Sequence, residues 1–142
     1  MNANDRQSTR DIYSRFVGMA AGLGDLTPEK EADLLSRRDD RTVTYDSDSG
    51  CWRGSLGGDS SAVHELALHT VRFIITRQRK RHPMGGDILE DALNNALMRA
   101  IHAAGIFSRF SDNRFMAYVG LFIDGALTDS LVAHMDVVGA GR

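Results

Sequence analysis

The sequence predicts a mainly α protein, an up-down bundle of four or five helices, and three observations carry that reading. Residues 61–138 hold three long stretches with apolar residues at helical spacing. The breaks between them, Pro83-Met84-Gly85-Gly86 and Gly105 to Asp112, are short. A composition of 42% hydrophobic and 25% charged residues is that of an ordinary folded domain. At 142 residues the chain makes one domain, 1–142, able to bury about two-thirds of the surface its unfolded form exposes. Within it, 1–58 reads as an irregular N-terminal part with two short helices and 59–142 as a three-helix core.

The first short helix is expected over Thr9 to Leu23, where Ile12, Phe16, Met19 and Ala20 share a stripe, ending at Gly24. The second starts at Thr27-Pro28-Glu29, a capping hydroxyl followed by proline at the first helical position, and fades in "SRRDDR". Residues 42–56 alternate briefly and turn at Ser47 to Gly50, which suits a short β-hairpin or an ordered loop. The first long helix is expected from Ser61 to His82, the second from Asp87 to Ala104, the third from Ser111 to about Val138. The turn at Pro83 makes the first two antiparallel neighbours. Asp87, with Glu90 three residues on, has the pattern of a capping box.

On the Ser61 to His82 helix, Val63, Leu66, Ala67, Val71, Phe73 and Ile74 fall within an apolar arc of about 220°. Glu65, His69, Arg72, Thr76 and Arg79 form the polar stripe. At its end "RQRKRH" places Arg77, Arg79, Lys80, Arg81 and His82 around the helix rather than on one face. Cations in a last turn offset the negative end of the helix dipole, which is reason enough for them to be there. Read functionally, Arg72, Arg77, Arg79, Lys80 and Arg81 are the candidate nucleic-acid contacts.

Arg77 to His82 also has an R-x4-H spacing and so resembles the motif of the HEPN ribonucleases, small helical bundles that dimerise to bring two such motifs together. That resemblance implies His82 moving a proton from a 2′-hydroxyl while Arg77 balances phosphate charge. It covers six residues. Gln78 stands where that family usually has a small polar residue, and Pro83 follows at the helix end.

Other chemistries lack their residue patterns. His64 and His69 in "HELALH" are five apart, where a zinc-binding pair needs four. Asp46, Asp48 and Gly50 lack the third carboxylate and closing Glu of a calcium loop, with Gly57 in that last place. "GSLGGDSS" has no lysine after its glycines, so it does not cradle a phosphate. The single cysteine, Cys51, excludes an internal disulfide and reads with Trp52 as a structural pair. No catalytic residue, metal or cofactor is expected, and a non-enzymatic role follows.

The third long helix carries the functional expectation. Phe115, Met116, Val119, Phe122, Ile123, Ala126 and Leu127 make one stripe, while Tyr118, Leu121 and Val132 project from the other side. Gly120 and Gly125, each costing about 1 kcal/mol against Ala, suggest a closely approaching backbone. Ala92, Ala96, Ala100 and Ala103 give the preceding helix a smooth edge. Tyr118, Leu121, Gly125 and Val132 are therefore the candidate partner-binding residues of a protein-binding homodimer, in the class of small bacterial or phage regulators, inhibitors and adaptors. The acids Asp124, Asp129 and Asp136 complement the five bases of 70–86, within one bundle or between two copies. The polar start "MNANDRQSTRD" does not read as a secretory signal, and the longest apolar run, Phe115 to Ile123, is short of the roughly 20 residues that span a bilayer. Net charge is −2, and a cytoplasmic protein without a membrane partner is expected.

Overall fold

The computed structural model describes residues 3–40, 43–48, 50–54 and 60–140. Among them are six helices that pack against one another: α1 (Ala3–Gly18), α2 (Pro28–Asp39), α3 (Ser60–Leu68), α4 (Val71–Arg81), α5 (Gly86–Ile106) and α6 (Phe115–Ala140). Strands β1 (Val43–Asp46) and β2 (Cys51–Gly54) form a short antiparallel ladder with Val43 opposite Gly54 and Asp46 opposite Cys51. The side chains of those strands, Cys51 and Trp52 included, and residues 55–59 lie outside the description, and with them the readings made on those positions.

The count exceeds the expected four or five because the Ser61 to His82 helix is two helices. Buried Thr70 breaks it. Its hydroxyl donates to the Ala67 carbonyl at 2.6 Å and its amide donates to the same oxygen at 2.9 Å. Such back-bonding competes with the regular ladder. Ile74 N–H then bonds Thr70 O at 2.8 Å and the helix restarts. Sequence periodicity ran through this point because both halves bury the same side: Ala62, Leu66 and Ala67, then Val71 and Ile74.

Helix α1 begins earlier than expected and ends at Gly18, after which successive i to i−3 bonds wind residues 19–23 into a turn. Gly22 sits there at φ 84°, a conformation L side chains rarely adopt, so the reversal falls at Gly22 rather than Gly24. Thr27 caps α2 as the sequence predicts, its Oγ1 accepting from Lys30 N–H at 3.1 Å, with Pro28 opening the helix. The capping-box reading of Asp87 does not hold: Gly85 is the N-cap of α5 and Asp87 lies inside the helix.

The core is built on α5 and α6, which run antiparallel. Ala92, Ala96, Ala100 and Ala103 are fully buried, and their small side chains let neighbouring helices approach α5 closely. Leu89 and Leu93 of α5 complete its buried side, and Ile12, Phe16, Leu34 and Leu35 come from α1 and α2. Asn95 Nδ2 donates to Ser130 Oγ at 3.2 Å, and Arg99 meets Asp129 at 2.8 Å, tying the two long helices together.

Helix α2 fixes both ends of the α5–α6 connection. Glu31, 8% exposed, accepts from the Phe115 amide at 3.1 Å and from Arg114 Nε at 3.3 Å, placing a carboxylate on the positive N-terminus of α6. Seven residues on, Arg38 donates to the Ala104 carbonyl at 2.6 Å, near the negative C-terminus of α5. Each long helix thus has one orphaned backbone group, the Phe115 amide or the Ala104 carbonyl, satisfied by the same short helix.

By length and composition, Phe115–Met135 of α6 is 21 residues long with mean hydropathy 1.4, enough to cross a bilayer. Counting uninterrupted apolar residues overlooked this. In the fold the helix is a core element, with Phe115, Val119, Ile123, Ala126 and Leu127 buried.

Candidate functional site

Two surfaces carry the residues singled out in the sequence. The first is the basic end of α4. Asp124, one-quarter exposed, lies opposite it on α6, and its Oδ2 accepts from Arg77 Nη1 at 2.5 Å and from Arg81 Nη1 at 3.3 Å. His82 Nε2 lies 3.4 Å from its Oδ1. The two oppositely charged segments therefore meet within one chain. Arg77 also lies over the Phe73 ring, 4.7 Å from its centroid. A Cβ on Gly120 would come within 3.2 Å of Arg77 Nη2 and 3.6 Å of Phe73, so the glycine makes room for side chains rather than for a backbone.

On the other side of α4, Gln78 is 1% exposed, accepts from the Tyr13 hydroxyl at 2.5 Å and donates to the His82 carbonyl at 3.2 Å. Burial raises the pKa of that hydroxyl, with the Arg79 charge and the Gln78 bond opposing. Arg79 reaches over the Tyr13 ring at 5.8 Å. Of the five candidate nucleic-acid contacts, Arg77 is turned inward and Arg72, Arg79, Lys80 and Arg81 are exposed. They do not share one face.

The second surface is the outer side of α6. Leu121 is 79% exposed, Val132 49% and Met135 62%. Ala117 and Thr128, on the same helical edge, are exposed too. No described atom outside the helix's own backbone and Gly125's chain neighbours lies within 4 Å of a Cβ built on Gly125, so among the described residues no other backbone approaches it. From Thr128 to Met135 no described residue is buried. Tyr118 departs from its expected place. It packs against the core, its ring 5.0 Å from Phe107 and 5.1 Å from Phe122, because the turn before α6 folds Phe107 beneath it. Leu121, Gly125 and Val132 remain together on the outer side.

Sequence reasoning set Asp124 against the bases of 70–86 without naming Arg77 and Arg81 as its partners, and it missed the part played by Glu31. Asp124 was legible as a lone acid inside an apolar run, a position that asks for a partner. Glu31 had no such signal, since it looks like any first-turn acid of a capped helix. Compared with known proteins, the chain matches no family, no curated protein and no solved structure.

Proposed function

We propose that the chain is a non-enzymatic protein-interaction module that forms a homodimer through the outer face of α6, and that it acts as a small cytoplasmic regulator, inhibitor or adaptor of bacterial or phage type. The observation that carries this reading is the outer side of α6, where Leu121, Val132 and Met135 stand exposed on a helix whose opposite side is core. An exposed apolar strip of this kind marks an interaction surface.

A second copy fits it because the acids of α6 up to Asp129 are already paired, the side chain of Asp136 lying outside the described residues. Asp124 is held by α4 and Asp129 by Arg99, which leaves Ala117, Leu121, Thr128 and Val132 as an uncharged strip that can face itself without like-charge repulsion. Gly125, with open space above it, lets two such helices cross closely. Burying Leu121 in both copies contributes about 1.5 to 3 kcal/mol each.

Light scattering on wild type and Leu121→Glu, at low and high salt, tests this. A wild-type dimer that persists in salt and becomes a folded monomer on substitution is expected, with circular dichroism unchanged. A wild-type monomer at every concentration, or a dimer indifferent to Leu121→Glu, refutes it. The nucleic-acid reading, with a HEPN-like nuclease as its enzymatic form, is less supported because Arg77, Arg81 and His82 converge on Asp124. It predicts instead salt-sensitive RNA or DNA retention lost in Arg79→Ala with Lys80→Ala.

A further inference from the structure

A cavity of about 190 Å³ lies between the turn that follows α1, the break between α3 and α4, and the start of α6. It opens to solvent past Gly24, Asp25 and Arg72, which are exposed. Leu23, Leu26 and Met116 supply apolar wall; Asp25, His69 and Arg72 supply polar groups. Asp25 and Arg72 are exposed, and neither side chain forms an ion pair or hydrogen bond with another described residue, or with the other across the space. His69 Nε2 is shut from solvent without a hydrogen-bond partner. Burial lowers the pKa of that imidazole, with the Glu65 charge and a backbone hydrogen bond to Gly24 opposing, and a group shut from solvent is not within a ligand's reach.

The lining therefore offers one acceptor, Asp25, and one donor, Arg72, each without a partner among the described side chains, and an apolar wall beside them. A phosphate or dicarboxylate would set excess negative charge against Asp25. An amine would leave Arg72 unmet, and a simple carboxylate would leave Asp25 unmet. We infer that the cavity is a binding site for a small α-amino acid with an apolar side chain, its carboxylate on Arg72, its ammonium toward Asp25, and its side chain against Leu23, Leu26 and Met116. The size agrees, since the volume is below the roughly 300 to 1,000 Å³ of sites for drug-sized ligands.

The test is an amide NMR titration of the full chain with L-leucine, L-valine and L-methionine to about 50 mM, well above a Kd of about 1 mM. The parallel ligands are 4-methylpentanoate and 3-methylbutylamine, which each carry one half of leucine. Saturable shifts with at least one amino acid, confined to 20–26, 68–72 and the start of α6, are expected, with either half binding at least about tenfold more weakly. Arg72→Gln and Asp25→Asn should each weaken binding by about tenfold or more while leaving distant amides unmoved, since both side chains are exposed. No saturable shift with any of the three amino acids overturns the inference. So does a half-ligand that binds as well as the whole, or unchanged binding by both variants.

Discussion

Removing the carboxylate of Asp124 should unlatch the basic end of α4 from α6, and the structure says which of its three partners matters. Arg77 and Asp124 have side chains 24% and 25% exposed and the shortest contact of the cluster, whereas Arg81 is 60% exposed at 3.3 Å. A hydrogen bond to a charged group in a partly buried setting contributes about 1.5 to 3 kcal/mol, and an exposed pair between about 0 and 1. Asp124→Ala should therefore cost about 2 to 3 kcal/mol, leaving Arg77 without its anion, while Arg81→Ala should cost about 0.5 kcal/mol or less. Asp124→Asn keeps an acceptor and should fall between. The assay is urea unfolding of the four proteins of the Arg77→Ala and Asp124→Ala cycle, repeated with Arg81→Ala, at one protein concentration because a dimer's stability depends on it. Coupling of about 1.5 kcal/mol is expected for Arg77 with Asp124, and under about 0.5 for Arg81. A coupling below about 0.5 kcal/mol for Arg77, or one that vanishes in about 1 M salt as an exposed pair's does, would refute the reasoning.

Tyr13→Phe should cost about 1 to 3 kcal/mol by stranding the Gln78 carbonyl oxygen in a buried site, and adding Gln78→Leu should recover part of it; equal stability of Tyr13→Phe and wild type in urea contradicts this. Glu31→Ala should cost about 2 kcal/mol and raise exchange of the Phe115 amide more than that of amides in the middle of α6, read by hydrogen exchange. For His69 the folded pKa lies below 6.5, so the unfolded chain takes up a proton first as pH falls. Its contribution is present above pH about 6.5 and is lost as pH falls through the folded value; the slope of unfolding free energy below pH 6.5 should be shallower in His69→Gln, and an NMR midpoint for His69 at or above about 6.5, the value of an unperturbed histidine, sinks the argument.

The helical elements of 60–140 were legible because burial imposes the helical period on their sequences, and Thr27-Pro28 announced α2 because a cap is a local device. Helix ends fared worse where side chains acted on the backbone. Thr70 ended a helix in the middle of an unbroken apolar pattern, and Gly85 capped α5 where Asp87 had the better capping signature. Of the candidate partner-binding residues, Leu121, Gly125 and Val132 stayed together on the outer face, while Tyr118 was drawn into an aromatic cluster with Phe122 and with Phe107, which comes from the preceding turn.

By itself, then, the sequence determined the helical class, the core stripes and the two-sided apolar character of α6, since these depend on periods of a few residues along the chain. Only the tertiary structure decided which apolar residues are covered, that the bases of α4 are answered by Asp124 of α6, and that α2 closes both ends of the α5–α6 connection. Those pairings join groups 43 to 84 positions apart. Local spacing carries no information about contacts at such separations, because they depend on how helices pack rather than on where residues fall along one of them.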